Sequence, residues 1–364
     1  MAKIVTVYRD SRGIFAPVEM GAIRWLKISE ALARRGHSVD MAMNETFPPA
    51  MEQAIAARGL PLRCVPLRDV RWTEYDVVKT LIHVGFQTLE KYGGVGHPFI
   101  ISKLGSVVDA QDREGIYFYG AYREELYQVQ ERINASSRYV TVLSESAKDL
   151  WVELFGPKPN ILLVPGAADH DIPALGDDPF PPGADARVLF AGNVYTRDRQ
   201  GEANDVLLAK LNKIGELLRG RGCRLYMIGV GDASGLDPEF VTYLGFVSHE
   251  EAWNFFGHAD VGIVVSAGSF MHNNESTKIY HYLRAGLPVV SESGFPNDDV
   301  VRRAGLGFVV DSGDMPAMAK RIEEAARATW DRDAAVSYIM ENHTWDTRAA
   351  VYDRLLRQHS FSQS

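Results

Sequence analysis

Strand and helix signals alternate along this chain, and they do so in two successive series separated by a stretch rich in Pro, Gly, Asp and Ala. Such alternation dictates parallel sheets covered by helices, because each strand must be carried back to the same end of the sheet by a crossover. In the first series the strands are Lys3 to Tyr8, Ser38 to Met43, Tyr75 to Leu81, Pro98 to Leu104, Arg138 to Leu143 and Asn160 to Pro165. A helix over about Gly21 to Arg35 stops at Gly36, a helix over about Tyr119 to Ala135 follows, and Ser144 caps a third from Glu145 to Phe155. Residues 166 to 186 show no periodicity and read as the boundary. The second series runs through strands at Arg187 to Ala191, Arg224 to Ile228, Val241 to Leu244, Val261 to Val265, Pro288 to Val290 and Gly307 to Val310. The expected organisation is an N-terminal Rossmann-like domain over 1–170, a linker over 171–185 and a C-terminal Rossmann-like domain over 186–340. Apolar residues at helical spacing near the end (Ala349, Val351, Tyr352, Leu355, Leu356) predict a last helix over 345–358.

At 364 residues, two domains are the natural expectation. Basic and acidic residues balance over residues 1–169, so the remainder carries the whole net charge of −8. That argues against a nucleic-acid groove, which needs a basic stripe, but not against a nucleotide, whose pyrophosphate needs only a few local cations and amides. No run of about 18 apolar residues is present, so no membrane span is expected, while peripheral membrane contact stays open. Cys64 and Cys223 lack metal-ligand spacing and fit buried thiols in a reducing, cytoplasmic setting.

Ligands of open α/β sheets bind beyond the carboxyl ends of the strands. Three such loops stand out in the second series. Gly192 and Asn193 follow its first strand, and Arg197 or Arg199 could pair with phosphate oxygens. Gly229 and Gly231 follow the next strand, in a pattern that suits either a ligand or any tight turn. In the third loop, Ser276 and Thr277 stand at a helix start, where free amides and the helix dipole favour an anion. Lys278 in that first turn opposes the dipole, so an anion accounts for it better than helix stability does. Lys278 shares a helix face with His281 and Tyr282.

These residues carry a family resemblance. Val241 to Ile263, with Ser248-His-Glu-Glu251 inside it, resembles the segment that family 4 glycosyltransferases place before their donor helix. Lys278-Ile-Tyr-His-Tyr-Leu-Arg-Ala-Gly-Leu-Pro-Val-Val290 is similar to their donor motif. Tyr139 to Lys148, Ile161 to Asp169 and Gly21 to His37 match segments of their N-terminal domain. The region also resembles the xanthan glucuronosyltransferase. The resemblance implies a GT-B fold, in which two Rossmann-like domains face a cleft and the C-terminal helix crosses back to the N-terminal domain.

It further implies a nucleotide-sugar donor, most readily a UDP-sugar, held by Gly192, Asn193, Arg197, Gly229, Gly231, Phe246, Glu275, Ser276, Thr277, Lys278 and His281. Many family members carry two glutamates where this chain has Asn273 and His281, and the ribose role passes to His281 or Glu275. Inverting relatives use a carboxylate base and retaining ones a histidine near an N-domain strand end. The candidates here are Asp109 and Asp112, or His83. Lys278, Arg197 and the amides near Ser276 would stabilise the leaving diphosphate, so neither metal nor cofactor is expected. The acceptor would be a hydroxyl of a glycan, a lipid-linked sugar or a small molecule. Two alternatives share the fold: a sugar-nucleotide 2-epimerase, and a non-catalytic nucleotide-sugar-binding protein.

Overall fold

The structure, a computed structural model, describes residues 1–9, 20–43, 49–109, 120–183, 185–194, 203–268, 273–359 and 361. Asp112, Arg197 and Arg199 lie outside the described residues. The chain forms two compact units: Met1–Ala110 with Arg123–Pro165 and Trp345–Ser364, and Gln111–Tyr122 with Gly166–Thr344.

In the first unit the strands are β1 (Lys3–Val7), β2 (Ser38–Met43), β3 (Leu62–Pro66), β4 (Val77–Leu81), β5 (Ile100–Lys103), β6 (Tyr139–Val142) and β7 (Ile161–Leu163). They form one sheet, order β3-β2-β1-β4-β5-β6-β7, with every pairing parallel. β1 and β4 are buried on both faces, which is why neither shows a clean apolar–polar alternation. The helices are α1 (Met20–Arg34), α2 (Pro49–Ala56), α3 (Ile82–Lys91), α4 (Gly120–Ser136) and α5 (Glu145–Phe155). β3, α2 and α3 were not anticipated from the sequence. The segments of β3 and α2 lack a strong period, β3 pairs only along its β2 side, and α3 follows β4 directly with no capping side chain to mark its start.

The last helix of the chain, Trp345–Arg357, belongs to this first unit. Its buried stripe includes Trp345, Ala349, Tyr352 and Leu356, and it packs against α1. Polar contacts fix its register: Arg34 makes a two-pronged pair with Asp346, His37 Nε2 lies 3.1 Å from Asp353, and the Tyr352 hydroxyl meets Thr141.

In the second unit the strands are β8 (Ala186–Ala191), β9 (Cys223–Ile228), β10 (Val241–Tyr243), β11 (Val261–Val264), β12 (Val289–Glu292) and β13 (Gly307–Val310). Their order, β10-β9-β8-β11-β12-β13, is the doubly wound Rossmann order, again all parallel. The helices are α6 (Ala203–Leu218), α7 (His249–His258), α8 (Thr277–Arg284), α9 (Asp299–Ala304), α10 (Met315–Arg327) and α11 (Arg332–Asn342), so the tail helix Trp345–Arg357 is α12. Ser248 and Glu251 form a full capping box at the start of α7.

Within the stretch read as a linker over 171–185, residues 171–183 are held against this unit. Phe180 is buried, edge-on to Tyr226 and Phe255. The Gly176 N–H donates to Asn254 Oδ1, and Asn254 Nδ2 donates to the Asp177 carbonyl. Pro, Gly and Asp prevent regular structure there, but one aromatic anchor and a side-chain amide hold the segment in place.

Candidate functional site

In the second unit the order of strands reverses between β8 and β11, where a doubly wound sheet opens its ligand crevice. The end of β8 delivers Gly192, and α8 begins beside it. Ser276 occupies the N-cap of α8, yet its side chain caps nothing. Its backbone is clamped from both sides by Asn297, which accepts the Ser276 N–H at 3.0 Å and donates to the Ser276 carbonyl at 2.9 Å. Ser276 is buried, and among the described residues its hydroxyl oxygen has no partner. α8 therefore starts with no side chain answering its first-turn amides, at Thr277 and Lys278, and with a buried hydroxyl beside them.

Lys278 completes this group. Its ammonium lies 5.1 Å from the centroid of the Phe190 ring. Among the described residues no carboxylate pairs with it, and burial, the sole cause, lowers its pKa to about 8. A Cβ on Gly192 would come within 2.8 Å of Lys278 Cε, so the glycine is what lets the lysine cross the end of β8. An uncapped helix start, an unanswered hydroxyl and a half-buried cation make an anion-binding arrangement.

The Gly-x-Gly loop supports this floor by contact with it. Gly229 has φ of +143° and its α-carbon faces the Gly192 carbonyl so closely that a Cβ would collide with it. Gly231, at φ +121°, meets Val194 in the same way. Val194 N–H donates to the Val230 carbonyl, and Val230 N–H donates to Asn193 Oδ1. The glycines thus have a structural reason of their own, the zipping of two loops. Phe246 follows Gly245, whose carbonyl accepts the Gly229 N–H, and its ring is 55% exposed.

Glu275 and His281 sit elsewhere than the ribose reading expects. Glu275 accepts from the Tyr280 hydroxyl and from the Gly166 N–H, so its oxygens tie α8 to the start of the unit. His281 is buried with its ring against His249, Trp253 and Phe256, and thus on the packed side of α8. Tyr282 accepts the Ala191 N–H at 2.8 Å, which pins β8 to α8. Tyr282, read from the sequence as sharing the ligand-facing side of α8 with Lys278, is thus buried against β8, and Asn297 was missed as a site-builder. Each acts on a residue far away in the chain, and no local pattern marks such a contact.

The first unit carries the remaining candidates. His83 lies at the start of α3, directly after β4, and is buried, with Nε2 3.1 Å from Gln130. Burial lowers its pKa to about 4, so it is neutral near pH 7. Asp109 is half-buried on the segment that follows β5.

No group of three His, Cys, Asp or Glu side chains placed to hold a metal occurs among the described residues. Two Asp-x-Asp stretches occur in the sequence, at Asp169 and at Asp331, and both have structural work: Asp169 pairs with His249, and Asp331 caps α11. No helix among the described residues is long and apolar enough to cross a membrane.

Residues 211–335 match the family described as glucosyltransferase 3-like, C-terminal domain. The chain is also 31% identical over 128 residues to glucosyltransferase 3 of Streptococcus gordonii, a match covering 33% of this chain and 32% of that protein. It thus spans about a third of the length of that curated relative. Among solved structures, HepE from Anabaena in complex with UDP and glucose superposes with a TM-score of 0.71 at 11% identity, covering 99% of this chain and 100% of that one. Sucrose-phosphate synthase from Thermosynechococcus elongatus gives 0.68 at 14% identity, covering 98% of both chains. AviGT4, a glycosyltransferase of avilamycin A biosynthesis, gives 0.64 at 14% identity over 98% of this chain and 97% of its own. The chain has the GT-B fold, and over residues 211–335 its second unit is similar to the glucosyltransferase 3-like C-terminal domain.

Proposed function

We propose that this chain is a glycosyltransferase that moves a sugar, glucose being the first to test, from a UDP-sugar to a hydroxyl-bearing acceptor. The observation that carries the reading is the start of α8, where Lys278 stands without a carboxylate partner among the described residues, beside the unanswered Ser276 hydroxyl. A nucleoside diphosphate answers all three features at once. Its phosphates accept from the amides and the hydroxyl, and its charge meets the ammonium. As the glycosidic bond breaks, negative charge collects on the leaving diphosphate, and the same groups stabilise it more strongly than in the ground state. Arg197 is proposed as a second cation and Phe246 as an exposed ring for the base to stack on. With these cations in place the reaction needs no metal or cofactor. The similarity to glucosyltransferase 3 and to UDP-bound HepE supports the same class of donor.

Calorimetry with UDP and with uridine, on the wild type and on Lys278→Ala, tests the reading. Losing a charge-assisted contact of about 1.5–3 kcal/mol should weaken UDP binding roughly 10- to 100-fold and leave uridine almost unchanged. Equal losses for the two ligands would mean damage to α8, and no loss for either would leave Lys278 an ordinary lysine. Incubating the protein with UDP-glucose and no acceptor tests the epimerase reading, which an epimerised donor would mark, whereas tight donor binding with neither transfer to added acceptors nor slow hydrolysis would mark a binding protein.

A further inference from the structure

One buried amide joins the two candidate catalytic segments of the first unit. Gln130, on α4, has no solvent exposure. Its Nε2 donates to the Val108 carbonyl at 2.8 Å, and its Oε1 accepts the Val108 N–H at 2.7 Å. Those two backbone contacts determine the orientation of the amide, since a flip would set donor against donor and oxygen against oxygen. The same Oε1 lies 3.1 Å from Nε2 of His83. An amide oxygen can only accept, so His83 carries its proton on Nε2 and leaves Nδ1 bare. No described residue donates to Nδ1.

The backbone around His83 is unusual as well. Ile82 has φ of +50°, the one non-glycine residue with positive φ among the described residues, and it is β-branched. Such a conformation persists only where the surroundings impose it. Here a Cβ on Gly85 would stand 2.8 Å from the Val7 carbonyl, so α3 starts hard against the end of β1, at the point where the strand order of this sheet reverses.

We propose that Gln130 is a positioning residue: it locks His83 as the Nε2–H tautomer and so presents Nδ1 as a fixed acceptor for a sugar hydroxyl. The proposal rests on the transfer reading for its substrate, and on the geometry alone for the tautomer. Because Val108 precedes Asp109, the same amide also determines where the backbone delivers that carboxylate. A neutral imidazole in this state orients a hydroxyl through a hydrogen bond and does not need to remove its proton.

Long-range nitrogen–proton spectra of ¹⁵N-histidine-labelled protein read the tautomer directly, without substrate. The expected result is a His83 ring protonated on Nε2 and not titrating between about pH 6 and about 8. Addition of UDP-glucose or of methyl glucoside should shift Nδ1, and the probe that does so shows whether the hydroxyl belongs to the donor or the acceptor. Gln130→Glu keeps an acceptor for His83 but adds a charge that favours the imidazolium. His83 should then titrate within that window. UDP-glucose turnover should fall by up to roughly 100-fold, the loss that misplacing a reacting group by about an ångström brings, with the donor KM unchanged if methyl glucoside is the probe that moves Nδ1. A ring protonated on Nδ1 in the wild type overturns the proposal, as does an Nδ1 that neither sugar moves, or a Gln130→Glu protein with wild-type spectra and turnover. Should that variant fail to fold, the wild-type spectra still decide. A protein that shows the Nε2–H ring but transfers nothing from UDP-glucose refutes the transfer reading and leaves the tautomer standing.

Discussion

Lys278 is a cation held under conditions that favour its neutral form. Desolvation lowers its pKa to about 8, and the Phe190 face is the contact that steadies its charge. A bound diphosphate would favour the ammonium and raise that pKa again, so binding takes up a proton wherever the free protein has lost one. Affinity for UDP is therefore expected to be flat between about pH 7 and about pH 8, where its terminal phosphate is ionised, and to fall up to about tenfold for each further pH unit, with Lys278→Ala showing no such slope. Calorimetry across that range checks it, and parallel profiles for the two proteins would detach the slope from Lys278. At this scale the sequence was legible where the chemistry is local. A lysine in the first turn of a helix, after a serine and a threonine, is visible without a structure. What could not be read was the state of its neighbours. Ser276 fails to cap α8 because Asn297 holds its backbone, and Glu275 and His281 turn toward Tyr280 and the α7 rings.

Elements show the same division with one added cost. β4 carries Lys79 in its centre, buried beneath α12, with the ammonium 4.9 Å from the Tyr352 ring and Arg24 of α1 close enough to repel it. Burial first, and Arg24 second, lower its pKa to about 7 from the ordinary 10.5. Between those two values the folded state binds fewer protons than the unfolded chain, so stability rises with pH across that window. Below about pH 7 the unfavourable contribution is complete. Lys79→Met should therefore raise the denaturation midpoint at about pH 6, and its advantage should shrink as the pH rises toward 10. Denaturant titrations of both proteins at several pH values test this, and a constant difference would show that Lys79 is not the titrating group. Periodicity made α12 legible as a helix with an apolar stripe, but not the partners that stripe would meet. Those are α1 and Thr141, which lie far back along the chain.

Over the whole molecule each unit has its own hydrophobic clusters, one spanning β8 to α11 and others within the β1–β7 sheet. A ligand that binds the start of α8 should therefore protect the second unit preferentially. With UDP at about 100 times its Kd, linkage adds about 2.7 kcal/mol to the stability of whatever unfolds with the site. Hydrogen exchange should slow along β8, β11, β12 and α8 and stay nearly unchanged in β1 to β7. Equal protection of both units would show that the diphosphate is not held by the second unit alone. The sequence by itself determined the doubly wound architecture, its repetition and the helix that bears Lys278, because strand, helix and cap signals act over a few residues. Tertiary structure alone decided that residues 171–183 pack on the second unit, that Gly229 serves Gly192, and that Gln130 orients His83. Each of those outcomes depends on two groups far apart in the chain reaching van der Waals or hydrogen-bond distance, and only the closed fold brings them there.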